Sequence, residues 1–324
     1  MQAEIVTPQW ATHIISDHTD MDRSPHPVDA EKVSSFRLTL PDDVYFEYAF
    51  MDGDGRTRAD PGNPVRGDNP WFPEVSALLG PAYRASRYAD LPDSLANGRL
   101  DRHRLESEPL GGMRRVSVYT PGGHEDETLP LVLVHDGTAF LRVAGLPKVL
   151  EALLAEGRIR PARLAFVEPV DRTSEYGFSA PYREFTLDEL IPFIEGNYAG
   201  SSERVVMGVS LGGLVSAVLA LLHPEEFDTV VTFSGAFKGG PENRDFYRGD
   251  GSWVVDRLRE GSSSPPRWYA DVGTIEWLTD VNREVGRALE SRGSEHRYAE
   301  RNAGHNWVNW RNGLAAALEF ALQP

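Results

Sequence analysis

The sequence predicts an α/β protein: a central, mostly parallel sheet with helices packed on it, preceded by a smaller β-rich N-terminal region. Three observations carry this. From residue 113 onward, short continuously apolar runs alternate with longer amphipathic stretches. Strands apolar at every position are buried on both faces, as parallel strands covered by helices are. Strand–helix alternation gives the same class. Residues 1–110 have a different texture, rich in Pro, Asp, Arg and turn residues, with two strand-like runs. This divides the chain into a β-rich accessory region, 1–110, and a main domain, 111–324.

In chain order, the first strands are "SSFRLTL" (34–40) and "VYFEYAFM" (44–51). The second alternates apolar and polar residues, as a half-buried strand does. The "DGDG" at 52–55 reads as a tight turn. It opens like a calcium loop, but position 56 is Arg and no Glu arrives at loop position 12, so no metal is expected. The later strands are placed at 113–120, 130–135, 163–168, 204–209, 228–234, 267–272 and 296–300. Helices are placed at 145–156, 184–198, 212–223, 253–259, 278–292 and 308–322. "EGSSSPPR" (260–267) reads as a surface loop.

The chain has 324 residues, 40% hydrophobic and 25% charged, long enough to bury a sizeable core. Its formal net charge is −16. That repels nucleic acid and anionic lipid, and no local basic patch stands out to offset it. The absence of cysteine removes disulfides, thiolate nucleophiles and cysteine-bound zinc together. No apolar run approaches the ~18 residues of a membrane span, and the N-terminus lacks a signal pattern. The expectation is a cytoplasmic, soluble protein without cofactor, of open oligomeric state.

The motif that carries chemistry is "MGVSLGG" (207–213). Ser210 stands between a strand and a helix, flanked by Gly208 and Gly212. A nucleophile elbow requires that context: a sharp strand-to-helix turn whose neighbours must be small. The helix N-terminus offers free N–H groups to an oxyanion, with that of Leu211 first. The alternative is an N-cap serine in an ordinary βα turn.

A serine nucleophile needs a base and an acid, which follow it in this chain order. Of nine histidines, three come after Ser210: His223, His296 and His305. His223 ends the elbow's own helix and His296 begins a strand. His305, in "AGHNWVNW", falls in a loop between the last strand and last helix, where a base can reach the top of a sheet. The acid is sought in "WYADVGTIEWL" (268–278). Glu276 is in the loop after the strand; Asp271, at the strand's end, is the rival.

Taken together, these stretches resemble the esterase branch of the α/β-hydrolases that includes enterochelin and feruloyl esterases. "LVLVHDGTAF" is similar to that family's strand ending in Asp-Gly, and "VDRTSEY" to its Arg-x-x-Glu segment. "REFTLDELIPFIEGNY" resembles its helix before the elbow, and "VVMGVSLGGLVSA" its elbow. "DVGTIE" resembles its acid loop, and "GHNWVNWRNGL" its His-x-x-x-x-Trp-Arg segment. The match spans about 110–324. It favours Glu276 over Asp271, and it departs from the family at Asn306, where an Asp often follows the histidine. "VYFEYAFMDGDGRTRADPGNP" resembles the last strands of the β-sandwich that precedes the hydrolase in enterochelin-esterase-like proteins.

The resemblance implies a serine carboxylester hydrolase acting through Ser210, His305 and Glu276 and an acyl-enzyme. The second oxyanion donor falls at Gly137 or Thr138. Arg172 is a candidate contact for an anionic or catecholic group, or else an ion-pair partner of Glu175. Trp310 is a candidate aromatic wall, or else core packing. The partner is a small-molecule ester: an enterochelin-type siderophore, or alternatively a phenolic or acetyl ester. An acyltransferase or a non-catalytic binding module on the same fold are the other readings.

Overall fold

The computed structural model describes residues 1–28, 35–261 and 265–324. Ser34 of the first expected strand and residues 262–264 of the expected 260–267 loop lie outside these. By contact density the chain forms two compact units. One comprises residues 1–86, 272–279 and 300–312; the other comprises 87–271, 280–299 and 313–324.

Among its described residues the first unit holds seven short strands: β1 (Gln2–Val6), β2 (His13–Ser16), β3 (His26–Pro27), β4 (Ser35–Thr39), β5 (Tyr45–Met51), β6 (Thr57–Arg58) and β7 (Ser76–Leu79). β1 and β4 form an antiparallel pair. β5 is the hub of a second antiparallel sheet, pairing with β2, β6 and β7. The sequence reads β5 as half-buried, yet Tyr45 to Phe50 are all buried. One face, with Phe46, Tyr48 and Phe50, packs in a cluster with Ile5, Ile14 and Ile275. The other face buries Glu47 in a polar network, so the apparent polar position of the alternation is interior. Asp52 takes the Asp54 and Arg56 N–H groups on one oxygen and Arg58 on the other, closing the "DGDG" turn.

The large sheet has eight strands: β8 (Arg99–Ser107), β9 (Gly112–Thr120), β10 (Leu129–His135), β11 (Arg163–Val167), β12 (Gly200–Val209), β13 (Thr229–Phe233), β14 (Arg267–Gly273) and β15 (His296–Arg301). Their order is β15-β14-β13-β12-β10-β11-β9-β8. β10 to β14 are mutually parallel; β9 joins β11, and β8 joins β9, antiparallel. Every residue of β10, β11 and β13 is buried. Successive side chains point to opposite faces, so both faces are covered, as continuous apolarity requires. β8, "RLDRHRLES", is not evident in the sequence because its charges hide its period; as an edge strand it tolerates them, and charged edges resist stray pairing.

Among the described residues the α-helices are α1 (Gly137–Arg142), α2 (Leu146–Ala155), α3 (Arg172–Tyr176), α4 (Ala180–Glu184), α5 (Ile191–Asn197), α6 (Leu211–Leu222), α7 (Trp253–Glu260), α8 (Thr279–Ser291) and α9 (Trp307–Ala321). The single helix expected over 184–198 instead begins at Ala180 and widens to a π-helical stretch over Phe185–Leu190. Pro192 follows in the first turn of α5. It lacks an N–H and its ring clashes with an ordinary α-turn, and widening the turn accommodates both. Among the described residues no helix is long and apolar enough to cross a membrane.

β10 lies between β11 and β12. The chain leaves β10 toward one side to make β11 and comes back on the other side to make β12. In open α/β sheets such a reversal opens a crevice at the carboxyl ends of the strands. The loops after β10 and β12 are therefore where a site is expected.

Candidate active site

β12 ends at Val209, and Ser210 takes φ 55° and ψ −118° before α6 begins at Leu211. This is a conformation L-residues rarely adopt, and the surroundings over-determine it. The Ser210 N–H donates to Phe233 O at 2.9 Å, and its carbonyl accepts from Ala236 N at 3.0 Å. The flanking glycines are sterically required. A Cβ on Gly208 would meet the Gly212 carbonyl carbon at 2.3 Å, and one on Gly212 would meet Asp136 Oδ2 at 2.8 Å. The second contact also places the turn after β10 directly against the elbow.

In that turn Asp136 is left-handed, at φ 57°. Its N–H donates to the Tyr176 hydroxyl at 2.8 Å. Behind it, burial lowers the His135 pKa to about 3, so the imidazole is neutral, with Nδ1 3.1 Å from the Tyr182 hydroxyl. Gly137 is again forced: a Cβ there would meet Phe166 Cβ at 2.7 Å and Val167 N at 2.8 Å. Of the two oxyanion candidates, the Thr138 N–H is already given to Glu168 Oε2 at 2.8 Å. Gly137 and Leu211 are the first residues of their helices, so their N–H groups have no intrahelical acceptor.

Arg172 does not pair with Glu175. Its Nε and one terminal nitrogen hold Asp136 in a two-point clasp at 2.7 and 2.8 Å, and the same terminal nitrogen donates to Val209 O at 3.1 Å. The guanidinium thus ties the end of β10 to the last residue before Ser210. Glu175 instead accepts the Val170 N–H at 3.1 Å and lies 3.4 Å from Arg114.

The other unit holds Glu276 and His305, the expected acid and base. Glu276 lies in the turn after β14. Its Oε1 accepts the Gly273 N–H at 2.7 Å, and the Thr279 hydroxyl closes the turn onto Gly273 O at 2.7 Å. Its Oε2 meets His305 Nδ1. The Glu276 side chain is fully buried and that of His305 is 9% exposed. A Cβ on Gly273 would meet Ala303 O at 2.2 Å, so only glycine lets the acid turn approach the histidine loop. The imidazole is held by Trp277, with ring centroids 4.6 Å apart, and edge-on by Trp310 at 5.0 Å. Trp310 is itself fully buried, against His305, Trp307 and Trp71. Trp71 is the exposed member of that aromatic group, at 47%. Asp271 is buried within β14 and accepts the Tyr269 hydroxyl at 3.1 Å.

A second carboxylate backs the histidine loop. Asp17 is buried, accepts the Glu47 N–H at 2.7 Å, and lies so close to Gly304 that a Cβ there would meet its Cγ at 1.9 Å. Asn306 Nδ2 faces both Asp17 oxygens at 3.4 Å while its Oδ1 accepts the Asn309 N–H at 2.9 Å. An aspartate at 306 would set a second carboxylate against that of Asp17, which gives the departure at Asn306 a physical reason. Burial, and then repulsion from Glu47, raise the Asp17 pKa well above the ordinary carboxylate range. The folded state therefore holds this proton where the unfolded chain has released it, and stability is lost as pH rises through the raised pKa. Asp17→Asn keeps the acceptor for the Glu47 N–H and removes the charge. The stability of the variant relative to wild type is expected to improve steadily from pH 5 to pH 8, read as the difference in urea midpoints; a pH-independent difference would contradict the assignment.

Of the expected site residues, then, Glu276 and His305 are brought together in one unit. Ser210, Leu211, Gly137, Thr138 and Arg172 gather at the ends of β10 and β12 in the other. Asp17, Asp136, Trp71 and Trp277 were not among the expected residues. Asp17 is 289 positions from Asn306, beyond the reach of any local pattern; Asp136 and Trp277 lie within the stretches quoted above, and that was the available signal.

Comparison with known proteins adds the following. A family model described as "Putative esterase" matches residues 107–321. An iron(III) enterobactin esterase of Dickeya dadantii is 29% identical over 283 residues, covering 80% of this chain and 64% of that protein. The chain thus spans less than two thirds of that relative's length. The crystal structure of an enterobactin esterase from Shigella flexneri, solved in the presence of enterobactin, superposes with a TM-score of 0.77 at 22% identity, covering 98% of this chain and 91% of that one. A ferulic acid esterase superposes with a TM-score of 0.61 at 20% identity, covering 69% of this chain and 97% of that one. The shared architecture is that of the α/β-hydrolases, with a β-rich region before it.

Proposed function

This chain belongs to the esterase family, and from that premise we propose that it is a serine carboxylester hydrolase whose nucleophile is Ser210, whose base is His305 and whose orienting acid is Glu276. The observation that carries the reading is the buried carboxylate on His305 Nδ1. A carboxylate there accepts a hydrogen bond from Nδ1–H, which holds the tautomer whose Nε2 carries the lone pair that can receive the Ser210 proton. The alkoxide oxygen then adds to the ester carbonyl carbon. The negative charge passes to the carbonyl oxygen, where the Leu211 and Gly137 N–H groups receive it. Collapse expels the alcohol, which takes the proton back from His305. Water repeats the two steps on the acyl-enzyme and releases the acid. General-base assistance contributes roughly 10²–10⁴-fold, and each oxyanion donor about 10²–10³-fold.

Arg172 is spent on Asp136, so in this reading it holds the oxyanion turn against the elbow and does not meet the substrate. Trp310, fully buried, acts through the imidazole it packs on, and Trp71 is the aromatic surface offered to a ligand. The substrate class follows the relatives: an ester of an acidic phenolic or catecholic compound, as in a siderophore. The test is direct. Wild-type protein is expected to hydrolyse p-nitrophenyl acetate and butyrate, and to be modified by a fluorophosphonate at Ser210, located by mass spectrometry of the labelled peptide. Failure of both, or modification elsewhere, would remove Ser210 from its role.

A further inference from the structure

Three buried polar side chains behind the oxyanion turn take no part in the reaction as written: His135, Tyr176 and Tyr182. Tyr176 accepts the Asp136 N–H at 2.8 Å. Tyr176 in turn hydrogen-bonds Tyr182, and the Tyr182 hydroxyl lies 3.1 Å from His135 Nδ1. Burial raises the pKa of both phenols well above their usual range, so both keep their protons. A phenol that accepts has one proton left to give. The chain therefore runs one way: from the Asp136 N–H to Tyr176, from Tyr176 to Tyr182, and from Tyr182 to Nδ1 of the neutral imidazole. It starts and ends on adjacent residues, and so closes a loop around the peptide that joins β10 to the oxyanion turn. The rings are fixed as well. His135 and Tyr176 meet edge-on with centroids 5.2 Å apart, and Tyr176 and Tyr182 do so at 5.3 Å.

The turn needs such a hold. Asp136 sits at φ 57° and ψ 42°, a left-handed conformation that disfavours a residue with a Cβ. Aspartate can ease it with a local side-chain hydrogen bond, but this carboxylate is spent on Arg172. The Asp136 carbonyl accepts the Ala139 and Phe140 N–H groups at 3.0 and 3.2 Å. Across a trans peptide the Gly137 N–H points opposite to that carbonyl, away from α1. Its direction is thus set by the two torsions of Asp136. Tyr176 holds the peptide before them, Arg172 the side chain between them, and α1 the carbonyl after them. Among the described residues the Gly137 N–H has no acceptor of its own.

We propose that Tyr176, aimed by Tyr182 and His135, is a positioning residue that fixes the direction of the Gly137 N–H, and with it one of the two oxyanion donors. This rests on the esterase reading and adds to it a hydroxyl that touches neither substrate nor reacting atoms. Preorganised donors stabilise charge because they need no reorientation when it forms. Untying one of them acts on the charged intermediate and leaves ground-state binding as it was.

The experiment compares Tyr176→Phe with Tyr119→Phe in the full chain. Tyr119, on β9 and outside the site, is a matched control: it is buried, accepts the Gly98 N–H at 2.9 Å and donates to Glu151 at 2.6 Å. Both variants take a buried phenol hydroxyl from a backbone N–H, and both are expected to lower Tm. Tyr176→Phe alone is expected to lower kcat for p-nitrophenyl butyrate about tenfold to hundredfold at unchanged KM, part of the roughly 10²–10³-fold that a whole donor supplies. Active sites are counted by fluorophosphonate titration, so that kcat refers to folded enzyme. Inhibition by trifluoroacetophenone, whose adduct with a serine carries an oxyanion, is expected to weaken by the same factor, and inhibition by butyrate to stay as in wild type. Tyr182→Phe keeps the acceptor for the Asp136 N–H and removes only its aim; it is expected to lower kcat less, again at unchanged KM. Wild-type kcat in Tyr176→Phe, or in Tyr182→Phe should Tyr176→Phe not fold, would overturn the proposal. So would an equal fall in Tyr119→Phe, or a change confined to KM. If wild type neither turns over nor is labelled, the esterase reading fails and this proposal with it; wild-type turnover beside an unaffected Tyr176→Phe removes this proposal alone.

Discussion

Replacing Ser210 with alanine is expected to lower kcat/KM for p-nitrophenyl butyrate by about 10⁴-fold or more and to abolish fluorophosphonate labelling, while Tm stays within a few degrees of wild type. The kinetic loss is large because the hydroxyl supplies the bond-forming oxygen; without it the oxyanion donors and substrate binding alone remain. The structural loss is small because what holds position 210 is backbone: its N–H to Phe233, its carbonyl to Ala236, and Gly208 and Gly212 on either side. Alanine meets the same strain at φ 55° as serine does. Retention of more than one tenth of wild-type activity in the purified variant would show that Ser210 is a turn residue.

Glu276→Gln is expected to lower kcat by roughly 10²–10⁴-fold with little change in KM. An amide at this position can turn its NH₂ toward His305 Nδ1, which favours the wrong tautomer, and it removes the negative charge that stabilises the imidazolium. The Gln oxygen can still accept the Gly273 N–H that Oε1 accepts now, so the turn is retained. Asp271→Asn is the companion measurement, because aspartate at the end of a strand is the commoner orienter. Its carboxylate receives the Tyr269 hydroxyl inside β14, and activity per folded molecule is expected to stay within a few-fold of wild type. If the two variants exchanged their effects, the acid would be Asp271. A fall in kcat at Glu276 that vanished at high pH would point to a histidine that needs no orientation.

Local patterns made much of this legible. The elbow could be read because three constraints fall within a few residues: an apolar strand, a serine between glycines, and an apolar helix. The loops that bring Glu276 and His305 together could be read because each follows a strand. What local patterns hide is shown by β8, whose charges mask an edge strand, and by β5, whose Glu47 mimics a solvent position but is buried. The small strands β1, β2, β3, β6 and β7 are too short to establish a period.

The sequence by itself determined the α/β class, the elbow at Ser210 and the two loops that carry Glu276 and His305. Each of these is written in contiguous residues, where backbone sterics and side-chain periodicity act. Tertiary structure alone decided who meets whom. It gave His305 Nδ1 to Glu276, turned Arg172 from Glu175 to Asp136, set Asp17 behind Asn306, and brought the Tyr176 hydroxyl to the Asp136 N–H. Those pairings depend on register and on the packing of distant segments, and Coulomb energy and hydrogen bonding answer to distance in space, which separation along the chain does not specify.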